Sequence, residues 1–475
     1  MHFTKNLTFQ RVVVTFLLAL VSQLLNEHHG DMYHDAWGYL NLATKLVSHD
    51  GRFTFSLLNF DSPLRGYLFP VLLVPLLAIQ TITHLPLTLL TKVFGSLWAA
   101  GLLGGLLPKL WQRLAGPTQR ISWSGFLLFV AAFLLFWRDN ITFTLTDVPS
   151  LTLLLGSVFC LEKKKVGWWL LAGLCIAAAM NFRPVYSITL PIVVGFMVWL
   201  LWRPAQWPRW LGLAGFVVGM GVVCLPQAYI NYHRFGKATP FVLGVREVNV
   251  GKTSELDNLY LWHLNAGIVT QKFGPAMVGA QPNTVQFVPD TAGVALIAER
   301  KGQPFRSIGE YLGYVLQHPS EFLAIYTRHL FNSLDVDYPS TYVLKIHSPP
   351  FWYCLLNYTL LFLGFVVFLY LPRPRSVLAI VTVTAFGAVV AASIPIMPEC
   401  RLVLPIHLLL LAAATLGFKP QIIWNRWRQN ERLYRRTVML LVCYFLWVSV
   451  AFALHTSSEA AAAWLLPEVV YQKLF

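Results

Sequence analysis

From Asn26 to Trp37 the chain sets six acidic or histidine side chains into twelve residues, directly after an apolar run. Three uses are open to such a cluster. In a helix, His28, Asp31 and Asp35 would stand at i, i+3 and i+7 on one face, a spacing that could hold a divalent cation. A solvated juxtamembrane loop would need nothing from these residues but hydration. The third use is general-base catalysis, with one carboxylate of the cluster held at the membrane surface as the base.

Other charged residues invite the same question. Asp147, in Thr144-Leu145-Thr146-Asp147-Val148-Pro149, opens an apolar run, where a carboxylate either caps a helix and complements its dipole or serves the site. Arg183 stands between two apolar runs just before Pro184, at a tip expected to reach the outer side, where it either snorkels to headgroups or serves a site. Arg65 and Arg401 border apolar runs in the same way. Tyr33, Trp37 and Tyr39 are suited to interface anchoring.

Elements that could position these residues follow from composition. Of 475 residues 56% are hydrophobic and 12% charged, the mark of a polytopic membrane protein. The apolar runs predict eleven spanning helices: Val12 to Leu25, Leu87 to Pro108, Ile121 to Trp137, Thr146 to Leu161, Gly167 to Phe182, Tyr186 to Trp202, Trp210 to Ile230, Phe351 to Leu371, Val377 to Ile396, Leu402 to Phe418 and Thr437 to Leu454. With the amino terminus cytosolic, the cytosolic segments carry eighteen of the 36 basic residues but only Glu162 and Glu431 of the 21 acids. That is the positive-inside bias, and it accounts for the net charge of +15 without nucleic acid. Tyr67 to Ile82 is apolar too, yet a crossing there would put Lys109 to Arg120 and Glu162 to Lys165 on the outer side. It is therefore expected to be a juxtamembrane helix.

An all-α chain of three blocks results: a transmembrane module over 1–230 with a first external loop at 27–86, an external region over 231–350, and carboxyl-terminal helices over 351–475. Pro319 to Leu334 is expected to be a helix packed on the membrane rim. The six cysteines, scattered and without CxxC, are expected to be core residues. In this topology Asp35, Arg65, Asp147, Arg183 and Arg401 share the outer boundary. Since an ionised group at a helix centre costs about 2.5–3.5 kcal/mol, they should face water or each other.

Several segments resemble the GT-C membrane glycosyltransferases, the superfamily of the protein O-mannosyltransferases and lipid A aminoarabinose transferases. They are His34 to Ala43 after the first helix, Ser62 to Pro70, Leu145-Thr146-Asp147, Phe182-Arg183-Pro184, Leu225 to Asn231 with Phe235-Gly236, and Pro398 to Pro405. The resemblance implies a polyprenyl-phosphate sugar donor, a glycan, lipid or protein acceptor, and an active site on the outer face; a bacterial inner membrane, with that face periplasmic, is the expectation drawn from the absence of eukaryotic sorting signals. It implies Asp35 as the base at the acceptor and Asp147 as a second acidic site. Arg65, Arg183 and Arg401 would hold the donor phosphate, with His34 and Tyr67 beside them. His34 stands where many O-mannosyltransferases carry a second acid. No cofactor is required, because a lipid phosphate leaving group needs only charge neutralisation; a divalent cation is optional. The rival readings are a transporter or flippase of lipid-linked sugars and a non-catalytic scaffold.

Overall fold

The structure is a computed structural model and describes residues 2–25, 32–49, 52–116, 120–163, 165–202, 209–250, 253–277, 284–343, 348–371, 376–417 and 431–465. His28 and Asp31, two of the three residues of the cation-binding face considered above, lie outside the described residues. The chain is mostly helical. Among the described residues, seven helices are long and apolar enough to cross a membrane: Leu7–Leu24, Leu87–Ala115, Pro184–Trp202, Trp210–Phe235, Phe351–Tyr370, Cys400–Gly417 and Val438–Ala461.

The other four expected spans correspond to shorter apolar helices. Trp123–Trp137 and Asp147–Leu161 have 15 residues each, and Val166–Phe182 and Val377–Ser393 have 17 each. A straight crossing takes about 20 residues, so length alone does not separate these four from Leu68–Thr83, the 16-residue helix expected to be juxtamembrane. The chain also departs from the all-α expectation in the region 231–350. Strands Thr270–Met277 and Thr284–Pro289 pair antiparallel, with Tyr342–Val343 parallel on one edge and Ala463–Leu465 antiparallel on the other. Val245–Val250 and Thr253–Asn258 form a separate hairpin. β-branched and aromatic residues in the run Thr284-Val285-Gln286-Phe287-Val288 favour the pleated conformation there.

The chain divides into two compact units. The first comprises Met1–Leu107, Trp137–His263 and Ser376–Ala392. Its helices Val166–Phe182 and Arg209–Phe235 pack closely, because a Cβ at Gly173 would run into the Phe216 carbonyl and one at Gly219 into that of Leu170. Small residues at such crossings let two backbones approach where lipid supplies no hydrophobic drive for association. Pro184 ends Val166–Phe182: the residue before a proline is forced out of the helical region, and Arg183 is extended at φ −139° and ψ 109°.

The second unit comprises Pro108–Phe136, Leu264–Arg375 and Ser393–Phe475. It contains the four-stranded sheet and the helices Thr291–Glu299, Ile308–Gln317 and Pro319–Leu334, the last with the bounds expected from its pattern. Asp290 caps Thr291–Glu299 by accepting from the Gly293 N–H, and its two oxygens also accept from Arg328 at 2.7 and 2.8 Å.

Candidate active site

The helix His34–Val47 carries Asp35 in its first turn. Its entry is strained, because His34 takes a left-handed φ of 43° in place of the helical value, a conformation costly for a residue with a side chain. Arg65 Nη2 donates to Asp35 Oδ1 at 2.6 Å, with the arginine side chain 20% and the aspartate side chain 37% exposed. The guanidinium also lies 4.9 Å from the centre of the Tyr39 ring, one turn along the same helix. Gly38 makes this possible, since a Cβ there would meet the Arg65 guanidinium. His34 is exposed, and Tyr33 packs edge-on against Phe143 at 6.2 Å.

Asp147 and Arg183 form the second pair. Asp147 is the first residue of the helix Asp147–Leu161 and is almost fully buried, and its Oδ1 meets Arg183 Nη1. Thr146 is the N-cap residue and makes no side-chain cap bond, so Asp147 directs its carboxylate at the arginine while still complementing the helix dipole. A buried pair of this kind gains Coulomb energy in a poor dielectric but loses hydration.

Backbone contacts join the two pairs. Thr144 Oγ1, three residues before Asp147, donates to the carbonyl of Ala36, the residue after Asp35, at 3.1 Å. The loop bearing Arg65 is fixed to the helix bearing Arg183 by the Leu68 N–H, which donates to Asn181 Oδ1 at 2.9 Å. Asn181 Nδ2 in turn donates to Gln227 Oε1, and Gln227 Nε2 to Asn231 Oδ1, each at 2.9 Å. Asn231 finishes this chain by donating to the carbonyls of Thr239 and Phe241. Two acids and two arginines from four separate segments are thus held in one loop cluster within a single unit.

Gly66 is the tightest point of that frame, because a Cβ there would collide with the backbone carbonyl and side chain of Asn181. Gly66→Ala is expected to destabilise the protein by roughly 1–3 kcal/mol, the usual cost of overpacking a site where backbone must move. A lower midpoint in detergent thermal unfolding checks this, and an unchanged midpoint would mean that the 62–68 loop shifts without strain.

The remaining expected site residues are placed differently. Tyr67 is buried and committed to the frame: its hydroxyl donates to the Val223 carbonyl at 3.2 Å and its N–H to Gln227 Oε1 at 3.3 Å. Arg401 belongs to the second unit, where its Nε donates to Glu399. All six cysteines are in the reduced form; Cys160, Cys175 and Cys354 are buried, whereas Cys443 is exposed on an apolar helix.

Two constellations were not anticipated from the sequence. In the first unit Asp139 is buried, accepts from Arg138 Nε at 2.9 Å and acts electrostatically on the buried Lys92. In the second unit, Lys272 Nζ donates to Asp335 Oδ2 at 3.1 Å and also to Asp337. His455 Nδ1 lies 2.9 Å from Asp335 Oδ2, and Tyr358 donates to Asp335 Oδ1 at 2.7 Å. The sequence offered a weak signal, the Asp-x-Asp pair of 335 and 337, but nothing that named the partners.

Ligand atoms of Asp335, Asp337 and His455 all lie within 4.8 Å of one another, near enough for a metal ion. The donor set argues against one. The Lys272 ammonium already sits against both carboxylates and supplies the positive charge that a cation would bring. Protein-family models give no match to this chain, and neither do curated protein sequences.

Proposed function

We propose that the chain is a membrane glycosyltransferase of the GT-C kind, moving a sugar from a polyprenyl-phosphate-linked donor to a hydroxyl or amine acceptor. The observation that carries this reading is the convergence of Asp35–Arg65 with Asp147–Arg183 in one loop cluster. A transferase with a lipid phosphate leaving group needs one proton acceptor and fixed cations for the phosphate, and both kinds of group meet here. In this reading the chain crosses a bacterial inner membrane eleven times with its amino terminus cytosolic, so that the cluster opens on the periplasmic side.

The acceptor oxygen or nitrogen attacks the anomeric carbon while the bond from that carbon to the phosphate oxygen breaks, inverting the centre. The electron pair leaves with the polyprenyl phosphate, and the acceptor proton passes to Asp35. Charge grows on the departing phosphate, so arginines placed there stabilise the transition state more than the ground state. Arg65 has a double part. Its fork can turn from Asp35 to the donor phosphate, because the pair is partly exposed. That transfer leaves the Asp35 carboxylate available to the acceptor only once donor is bound. Arg183, oriented by the buried Asp147, would supply a second phosphate contact.

Reconstituted protein given a polyprenyl-phosphate sugar labelled in the sugar tests the proposal. Label appearing in an acceptor or as released sugar, with stoichiometric polyprenyl phosphate, is the expected result. Label that crosses the bilayer still joined to its lipid would replace this reading with transport.

A further inference from the structure

In the second unit the helix Ile308–Gln317 is apolar on two faces. Its inner face is aromatic: Tyr311 is buried, its hydroxyl is 2.7 Å from that of Tyr326, and its ring packs edge-on to Phe305 and Phe322. A second face, about 100° round the helix from Tyr311, carries Ile308, Leu312 and Leu316 at i, i+4 and i+8. All three are exposed, Leu312 by 53% and Leu316 by 81%. A helix in contact only with water on that side would carry polar residues there. Leu323, on the following helix Pro319–Leu334, is exposed as well.

Two further observations identify what covers the row. The first is charge. Glu310, the one acid of the helix, is engaged by Arg300 at 2.6 Å and by the Arg306 N–H at 2.8 Å. Lys301 and Arg306 in the preceding turn are exposed, as are the acids Glu299 and Glu321, so the cations mark only the amino-terminal side of the helix. The second is attachment to the membrane-crossing helices. The last carbonyl of Pro319–Leu334, that of Leu334, accepts from Asn357 within the span Phe351–Tyr370, and Phe331 packs against Trp447 of the span Val438–Ala461. The carboxyl end of the helical hairpin is therefore packed against two helices long and apolar enough to cross a membrane.

We propose that Ile308–Gln317 is an interfacial helix. Ile308, Leu312 and Leu316 dip among the acyl chains, and Lys301 and Arg306 meet anionic headgroups. The occupant of this face is the lipid surface itself. The inference stands apart from the glycosyl-transfer reading and would hold for a transporter as well.

The test places a cysteine at Leu312 or Leu316, or at the exposed Lys237 of the first unit as a reference, in a Cys443→Ala background. Each is labelled with an environment-sensitive fluorophore and reconstituted in vesicles containing phosphatidylglycerol. The expected result is blue-shifted emission at 312 and 316, several-fold stronger quenching by acyl-chain nitroxides than at 237, and protection from aqueous iodide. Replacing the anionic lipid by phosphatidylcholine should weaken the nitroxide quenching, as should the Lys301→Ala/Arg306→Ala variant. Iodide quenching equal to that at Lys237 would overturn the proposal. So would protection from both quenchers, which would mean that protein, such as a second copy of the chain, covers the row.

Discussion

Asp35→Asn is expected to lower turnover of a polyprenyl-phosphate sugar by about 10²- to 10⁴-fold, the range lost when a positioned proton acceptor is removed. Asparagine is nearly isosteric and its oxygen can still accept from Arg65, so the helix entry at His34 and the stack of Arg65 on Tyr39 should survive. The loss should therefore fall on kcat, with donor affinity unchanged or tighter, because an Arg65 without a charged partner is easier for a phosphate to recruit. An unaltered thermal midpoint with collapsed kcat is the signature sought. Equal turnover in both proteins would remove Asp35 as base and shift attention to Asp147. A fall in donor affinity at constant kcat would assign Asp35 to binding.

The sequence made some of this legible and hid the rest for physical reasons. Apolar runs and the one-sided placement of lysine and arginine are one-dimensional properties, so the long spanning helices and the helix Pro319–Leu334 could be read directly. Asp35, Arg65, Asp147 and Arg183 were visible because each interrupts or borders such a run. Their pairing was not visible: Asp35 and Arg65 are 30 residues apart, and only the fold brings them together. Strand Thr270–Met277 was obscured by its own geometry, because register shifts between Thr270 and Lys272 and between Phe273 and Ala276 break the two-residue alternation. Lys272 on that strand then joins Asp335, 63 residues away, and Asp335 joins His455 across 120. A single histidine in the last apolar helix carries no signal until the carboxylates it faces are known.

Those two carboxylates should respond in opposite ways to neutralisation. Burial works against the charge of Asp335, but the Lys272 ammonium and the His455 hydrogen bond outweigh it and hold this carboxyl below the ordinary range. Burial and then the neighbouring Asp335 charge push Asp337 up to about 6, despite Lys272. Geometry explains the asymmetry: Asp335 receives Lys272, His455 and Tyr358, whereas Asp337 receives Lys272 and its buried Oδ1 faces His455 Nδ1 at 3.5 Å without a hydrogen bond. The lowered acid contributes stability that is present above its unfolded pKa and is lost as pH falls through the folded one. The raised acid does the reverse, its contribution being complete below the unfolded value near 4 and lost as pH rises towards 6. At pH 7, Asp335→Asn leaves buried Lys272 with Asp337, and His455 with Asp337 and the more distant Glu459, and is expected to destabilise by about 3–5 kcal/mol, the cost of breaking a buried ion pair. Asp337→Asn reproduces the protonated form at every pH. It should hold or raise the thermal midpoint at pH 7 and flatten the decline in stability between pH 4 and 6. Midpoints of the two variants across pH 4–8 in detergent measure both effects. A large loss from Asp337→Asn with little from Asp335→Asn would reverse the assignment and make Asp337 the principal counter-ion of Lys272.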